Sequence, residues 1–559
     1  MKRTSKLLAG LAALVVAVPA AGALNQETQA RPAATQQLSA VAAGLAGQSA
    51  ASGTKPNVLL VMTDDMRHDD VKYMPHVRQF IQSRGTDFRN MFAPTPLCCP
   101  NRTSYLTGKY AHNHKVWWHD APWGYGSFDD RRSLATALQS AGYQTGYVGK
   151  YLNGYGRMRP KAAPNHNPAT FVPDGWTDWR ATPDSTGSLP ESDPRAGSTY
   201  RYFDTTVNNN GRLEGHQGVY NSKVLANEGI KVLDRFTRSS KPWYLQINSL
   251  APHHGGPVER DDPYLVTPAR PNWVKGKFNS VITRGPGVPA SGQPEPDISD
   301  KARITRLRPK LGDRERRAIR AEARQRAETL YVLDLQLARV FAKLKASGQL
   351  SRTVVAFTSD NGYMEGEHRW QSGKVIGFEP AYRVPLLIAG PGIPAGASQV
   401  SPVTTVDLSA TVLDWAGAQL AGADGRSFLP DIGAKEGWTR AVGYESFIPS
   451  IRNDHDRPGF TRGPRSAIGI RTAGYFYVRY SNGESELFDL HRDPNQLRSV
   501  ARDPAYTDAR RALDQAWNAF QACAGASCQV TLDRSLQTDF ATTRGLRTTM
   551  ATATARYYG

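Results

Sequence analysis

At 559 residues the chain can bury a large core and hold two domains or subdomains. Its formal net charge of +19 favours anionic partners, a sulfated glycan or another acidic polymer among them, through long-range steering. No zinc-finger, helix-turn-helix or RNA-binding signature accompanies that charge, which argues against nucleic acid as the partner.

Lys2, Arg3 and Lys6 precede the apolar run Leu7 to Val18, and Ala21-Gly22-Ala23 is a small-residue cleavage site. Residues 1–23 therefore read as a secretory signal, because the run is short of the roughly 20 residues that a membrane span needs. No later stretch is long and apolar enough to cross a membrane, so the mature protein is expected to be secreted or extracytoplasmic. Leu24 to Thr54, rich in Ala, Gln, Gly and Ser, reads as a flexible leader. Order is expected from Lys55, with one domain over 55–440 and a smaller subdomain with a tail over 441–559.

Asn57–Thr63 is a short apolar run of the kind buried on both faces of a sheet. Similar runs lie at Gln144–Val148, Trp243–Ser249, Thr353–Thr358 and Val384–Ala389. Helical patterns at Pro75–Ser83, Arg102–Thr107, Ser133–Ala141, Gly218–Thr237, Asp313–Ala346 and Asp407–Ala416 alternate with them. The alternation predicts an α/β fold with a doubly wound, mostly parallel sheet flanked by helices. Gly255–Asp313, rich in Pro, Gly and charge, is expected to be an irregular surface excursion over the active site. The basic run Lys301–Arg326 reads as a solvated helix face rather than a dedicated site. Beyond Ala441, the runs Ala467–Arg471, Tyr475–Tyr480 and Glu486–Leu490 predict a small antiparallel sheet, packed by a helix over Thr507–Ala522.

Two of the apolar runs end in the same chemistry, Thr63-Asp64-Asp65 and Thr358-Ser359-Asp360-Asn361. In a parallel sheet the C-terminal strand ends share one edge, where ligands bind. Three carboxylates and an amide gathered there would repel one another without a cation, and an all-oxygen set selects a hard one. Turn and helix-cap chemistry is the alternative reading of each pair alone. Basic residues follow other runs: Lys150 after Gly149, His253 in Ala251-Pro252-His253, and Lys374 in Gln371-Ser372-Gly373-Lys374. Cations and donors of this kind suit an ester oxyanion, on which charge builds during cleavage.

Four cysteines complete the inventory. Cys523 and Cys528 enclose a short Ala/Gly/Ser loop and are expected to form a disulfide in an exported protein. Cys98 and Cys99 are neighbours, and a bridge between neighbours is strained. Pro100 can stand in a first helical turn, which sets Cys98 at a helix N-terminus where free N–H groups favour an anion.

The pattern Cys98-x-Pro100-x-Arg102, continuing into Leu106-Thr107-Gly108, resembles the signature of the sulfatase family, within the alkaline phosphatase superfamily. In that family the first cysteine is oxidised to formylglycine during export. The resemblance implies that a formylglycine-generating or equivalent enzyme modifies Cys98, with Cys99 a bystander. It assigns Asp64, Asp65, Asp360 and Asn361 to a divalent metal, usually Ca2+, with modified Cys98 completing the shell. It also implies that Arg102, Lys150, His253 and Lys374 hold the sulfate, with His368 a further candidate. The resemblance extends from Asn57 to about Pro504 and includes Glu486-Leu487-Phe488-Asp489-Leu490.

Two positions depart from the family pattern. Asn101 stands where Ser is usual, which bears on recognition by the modifying enzyme, and Leu152 where many arylsulfatases have His. Cys98-Cys99-Pro100 together with Gly149-Lys150-Tyr151-Leu152-Asn153 instead resembles the N-acetylglucosamine-6-sulfatase branch, with His112 and His114 as candidates for the base that closes the cycle. The implied function is hydrolysis of sulfate esters on sulfated sugars. The alternatives are a general arylsulfatase, a phosphate or phosphonate ester hydrolase, and a non-catalytic binder of sulfated glycan.

Overall fold

The computed structural model describes residues 55–187, 189–447 and 466–559, so the expected signal segment and leader lie outside the described residues. Asn57–Asp64 (β1), Gln144–Lys150 (β2), Trp243–Pro252 (β3) and Thr353–Ser359 (β4) sit at the centre of a ten-stranded sheet. β1 pairs in parallel with β4 on one side and β3 on the other, and β3 pairs in parallel with β2. Asp178–Thr182 extends the parallel set beyond β2. Leu386–Ala389 runs antiparallel beside β4, with Thr86–Phe88 and Ala397–Gln399 beyond it, and antiparallel Asp204–Asn209 with Arg212–Gln217 finish the far edge. The sheet is therefore mixed but mostly parallel at its core.

β1 shows why the run is apolar throughout. Val58, Leu60 and Met62 join a cluster with Leu134, Leu408 and Val412 on one face. Leu59 and Val61 point the other way, against Leu330, Leu337 and Phe341. Alternate side chains leave a strand on opposite faces, so a strand covered on both must be apolar at every position. Each such buried side chain contributes about 1.5–3 kcal/mol. The helices that cover these faces include Cys98–Thr107 (α1), Asn221–Phe236 (α2), Asp313–Ala346 (α3) and Thr405–Ala416 (α4).

α1 starts at Cys98, one turn earlier than the periodicity predicts, and stops at Gly108, whose φ of 65° suits glycine. Pro100 lies inside the first turn, where its missing N–H is not needed. No side chain caps the N-terminus of α1, so its first N–H groups stay available beside Cys98. α3 spans the predicted Asp313–Ala346, with Asp313 and Glu315 in its first turn and Lys343 and Lys345 in its last, each sign matched to the helix dipole. The interval 255–312 is irregular apart from the single turns Asn272–Val274 and Arg303–Arg306.

Near the C-terminus, Val442–Phe447 (β5), Ser466–Arg471 (β6), Tyr475–Tyr480 (β7) and Ser485–Asp489 (β8) form an antiparallel sheet in that order. Thr507–Gln521 (α5) buries Leu513, Ala516 and Phe520 in the same core. Cys523 and Cys528, just beyond α5, are joined. A last helix, Phe540–Tyr558 (α6), carries no strong periodic signal in the sequence and buries only Thr543 and Met550.

Candidate active site

The register of the central strands builds the site. Thr63 pairs with Ser359, so the residues that follow, Asp64-Asp65 and Asp360-Asn361, emerge side by side at the same sheet edge. Asp65 turns out of the strand at φ 65°, and its N–H donates to Asp360 Oδ1 at 3.2 Å. Asn361 Nδ2 donates to Asp65 Oδ1 at 2.7 Å. α1 brings its first residue to the same place: Cys98 Sγ lies 3.3 Å from Asp64 Oδ1 and 4.0 Å from Asp65 Oδ1.

Three cations close around this acidic group. Lys374 Nζ is 2.5 Å from Asp65 Oδ1 and 3.0 Å from Cys98 Sγ. Lys150, at the end of β2, forms an ion pair with Asp64. Arg102, one helical turn after Cys98, reaches Asp360 Oδ2 at 2.7 Å and Asp64 Oδ2 at 3.3 Å. All these side chains are buried. Burial works to raise the Asp64 carboxyl, but Lys150, Arg102 and Lys374 outweigh it and hold Asp64 well below the usual carboxylate range. Asp360 is pushed up by burial and by the charge of Asp64, with Arg102 opposing. Burial and Asp64 also push the Cys98 thiol well up, so an unmodified cysteine here is a protonated thiol and a weak nucleophile.

His253 follows β3, with Nε2 3.7 Å from Asp65 Oδ2. Its Nδ1 lies 2.8 Å from the His254 carbonyl, which assigns the ring proton to Nδ1 and turns the acceptor Nε2 toward the carboxylates. Burial, then the neighbouring His254, push its pKa well down, so the ring is neutral. The Tyr200 ring lies tilted against it at 5.4 Å and sits 5.2 Å from Lys150 Nζ.

The donor set fits a hard divalent ion. Asn361 Oδ1 is buried and accepts no hydrogen bond, although Nδ2 of the same amide is fully used. One ligand atom each from Asp64, Asp65, Cys98 and His253 lie within 4.8 Å of one another. Carboxylate and amide oxygens in this number suit calcium or a similar ion.

Three expected site residues lie apart from this group. His368 Nδ1 bonds Glu295 Oε2 at 2.6 Å, and its ring stacks on Phe378 at 3.7 Å. His112 spans Glu445 Oε1 at 2.7 Å and the Cys523 carbonyl at 2.9 Å. His114 bonds Ser104 Oγ and the Val116 N–H, both at 3.0 Å, and burial followed by His112 pushes it down to about 3. These contacts tie all three rings to neighbouring protein groups.

Two residues that the sequence did not single out join the site. Arg326 Nη2 donates to the Asp65 carbonyl, and Asn248 Oδ1 accepts from Arg102 Nη1 at 3.3 Å. Arg326 contradicts the solvated reading of Lys301–Arg326: it is buried, as is Lys301, which pairs with Glu295 at 2.6 Å. The signal was present in α3, because Arg326 sits on the same stripe as Ala323 and Leu330, three and four residues away.

A family model described as Sulfatase matches residues 56–418, and one described as N-sulphoglucosamine sulphohydrolase, C-terminal, matches residues 366–522. The chain is 32% identical over 390 residues to the extracellular sulfatase SULF-1 homolog of Drosophila melanogaster, covering 67% of this chain and 31% of that protein. It is 27% identical over 521 residues to N-acetylglucosamine-6-sulfatase of Homo sapiens, covering 86% of this chain and 87% of that one. It thus spans about a third of the fly relative and most of the human one. A solved protein in complex with its substrate D-glucosamine-2-N,6-O-disulfate shares the fold, with a TM-score of 0.63, 22% identity, and coverage of 84% and 98%. So does the phosphonate monoester hydrolase of Silicibacter pomeroyi, with a TM-score of 0.59, 21% identity, and coverage of 87% and 99%. The family match takes in β1 to β4 and every residue gathered around Cys98, over more than half of the sequence, and on it the chain belongs to the sulfatase family.

Proposed function

We propose that this chain hydrolyses sulfate esters through a formylglycine made from Cys98, and that its substrates are sulfated sugars such as N-acetylglucosamine-6-sulfate. The supporting observation is the convergence on Cys98 Sγ of Lys374 at 3.0 Å and Asp64 at 3.3 Å, at an uncapped helix N-terminus. The Sγ stands where the oxygens of the hydrated aldehyde would lie. That hydrate supplies two hydroxyls, one to attack sulfur and one whose ionisation releases sulfate, and neither cysteine nor serine offers the second. A divalent ion, calcium in this reading, held by Asp64, Asp65, Asp360 and Asn361, supplies positive charge for the group at position 98 and the sulfate oxygens.

The chain's own residues do the rest. Arg102, Lys150 and Lys374 balance Asp64, Asp65 and Asp360 one for one, so an added divalent ion leaves two positive charges. That excess suits a sulfate monoester together with an oxyanion at position 98. Lys374 carries only donors and holds a proton toward the ester oxygen that leaves. Neutral His253 presents Nε2 as a proton acceptor. Asn248 and Asp360 fix the plane of the Arg102 guanidinium.

The sugar assignment draws on relatives named N-acetylglucosamine-6-sulfatase and on Leu152, which is buried where arylsulfatases carry a histidine. We read the protein as secreted or extracytoplasmic, in line with relatives named extracellular sulfatases. No described helix is long and apolar enough to cross a membrane. The likeness to a phosphonate monoester hydrolase keeps one second reading, a phosphonate or phosphate ester hydrolase.

The test has two parts. Mass spectrometry of the peptide carrying position 98 should show the aldehyde or its hydrate. Turnover of glucosamine-6-sulfate, an aryl sulfate, an aryl phosphate and a phosphonate monoester should then favour the sulfated sugar. Preference for the phosphonate would move the chain to the second reading. An intact thiol at position 98 in active protein would overturn the mechanism.

A further inference from the structure

A cavity of about 770 Å³ lies beneath α6, between that helix and the turn that follows β1. None of Cys98, Arg102, Lys150, His253 or Lys374 lines it, so it is separate from the candidate active site. Its wall carries seven Lys or Arg side chains against three Asp or Glu. Arg67 is neutralised locally, by Glu367 at 2.8 Å and Asp69 at 3.1 Å. Deeper in, the balance fails. Glu379 pairs with three guanidiniums: Arg383 at 2.8 Å, Arg471 at 3.0 Å and Arg547 at 3.4 Å. Arg383 and Arg547 are only 14% and 11% exposed, and Arg383 Nε makes no well-aligned hydrogen bond.

The electrostatics follow from that crowding. Burial, then Arg383, push Arg547 down to about 9 although Glu379 opposes them. Burial and then Arg383, Arg547 and Arg89 push His68 well below its ordinary value. A guanidinium stays charged in a protein, so such a cluster is an unmet demand for negative charge rather than a neutral site. At the mouth, Arg89 and Lys72 are about half exposed and can meet a ligand on entry. Forked guanidiniums match tetrahedral oxyanions with paired hydrogen bonds.

We propose that this cavity is a second oxyanion site, taking a sulfate group, free or borne on a sugar, on Arg383 and Arg547, with Arg89 and Lys72 at its mouth. The volume admits a small sugar and not only an ion. The site goes beyond the reaction proposed above and does not depend on it, because binding can be read without turnover.

The test is calorimetric titration of the full chain at low ionic strength, with inorganic sulfate and with a heparin-derived tetrasaccharide as probes. Lys374→Ala serves as the background, to weaken binding at Cys98. Binding should persist in that background and fall about tenfold or more when Arg547→Gln is added, the loss of one charge-assisted contact. Tighter binding of the tetrasaccharide assigns a sugar-borne group, and tighter binding of inorganic sulfate assigns the free ion. If Arg547→Gln does not fold, the exposed pair Lys72→Gln and Arg89→Gln decides by the same fall in affinity. Unchanged affinity in a folded variant, or no binding of either probe, overturns the proposal.

Discussion

Arg326 Nη2 donates to the backbone carbonyl of Asp65 at 2.5 Å, from a helix more than 250 residues further along the chain. Asp65 holds a φ of 65°, a conformation that most side chains resist, and this guanidinium fixes the turn that presents its carboxylate. Arg326 also lies 3.5 Å from Glu365 Oε1 and within 3.4 Å of the Pro252 carbonyl, so it ties β1, β3 and the segment after β4 together.

On the proposed metal reading, Arg326 is a positioning residue for Asp65. Arg326→Leu should weaken divalent-ion affinity about 10–100-fold, the usual cost of losing a partner behind a metal ligand. Excess calcium should restore part of the lost turnover. Metal content after dialysis and a calcium titration of activity check this. Unchanged metal affinity with lost activity would show that Arg326 acts only on folding.

Much of this arrangement is legible in the sequence, and the reason is local. Strand ends carry their chemistry next to their apolar signal, so the amino-acid pattern alone places Asp64-Asp65, Lys150, His253 and Asp360-Asn361 on one sheet edge. α1 needs only Pro100 and Gly108 to be seen. Arg326 and Asn248 escape such a reading because their roles are set by tertiary contact. A cation inside a basic run looks solvated until its helix face is known. The edge strands Asp204–Asn209 and Arg212–Gln217 escape it because they are too polar to stand out, and α6 because its apolar residues follow no helical stripe. His368 sits in the same segment as Lys374, but His368 bonds Glu295 whereas Lys374 bonds Asp65.

Cys98 and Cys99 are both buried, yet they should behave differently. Cys98→Ala should reduce sulfate ester turnover to background while the protein stays folded. Cys99 Sγ lies 3.9 Å from the Asn153 carbonyl, and burial pushes its thiol up to about 12, so it is an inert packing residue. Cys99→Ala should keep most activity and cost about 1 kcal/mol of stability. Turnover and urea midpoints of the two variants separate these roles, and substantial activity in Cys98→Ala would falsify the nucleophile assignment.

Asn101, one of the two departures from the family pattern, has a structural explanation. Its Nδ2 donates to the Asp360 carbonyl and to Thr405 Oγ1, the latter at 3.1 Å, joining α1 to β4 and α4. Asn101→Ala leaves that buried carbonyl without a donor and should cost about 1–3 kcal/mol. Denaturant unfolding measures it. A loss below a few tenths of a kcal/mol would mean that another group takes over the bond.

His112 gives the stability of the fold a pH dependence. Both ring nitrogens face oxygens, on Glu445 and on the Cys523 carbonyl, which favours the doubly protonated ring. Burial opposes protonation, but the hydrogen bond and charge of Glu445 outweigh it and raise His112 above 6.5. The raised pKa means that His112 contributes stability fully below the unfolded value of about 6.5 and loses it as pH rises through the folded value. His112→Gln should therefore flatten the decline in stability on the alkaline side of 6.5. Thermal midpoints at pH 6 and pH 8.5, wild type against variant, read this directly, and an equal decline in both would remove His112 as the cause.

The basic surface supplies the last prediction. Arg314 and Arg317 are exposed at the start of α3, and the charge excess of the whole chain is large. Exposed charges act through solvent, where salt screens them beyond about 8–10 Å at 0.10–0.15 M ionic strength. Lys150 and Lys374 are buried against their carboxylates and are screened far less. A sulfated polymer meets both kinds of charge, whereas a small aryl sulfate meets chiefly the buried set. Raising salt from 0.05 to 0.5 M should therefore lower kcat/KM steeply for a sulfated glycan and mildly for an aryl sulfate, with the glycan effect in KM. Arg314→Gln with Arg317→Gln should reduce the glycan slope and leave aryl sulfate turnover unchanged. Equal slopes for the two substrates in the wild-type protein would mean that the surface charge does not guide the substrate, and would confine recognition to the pocket around Cys98.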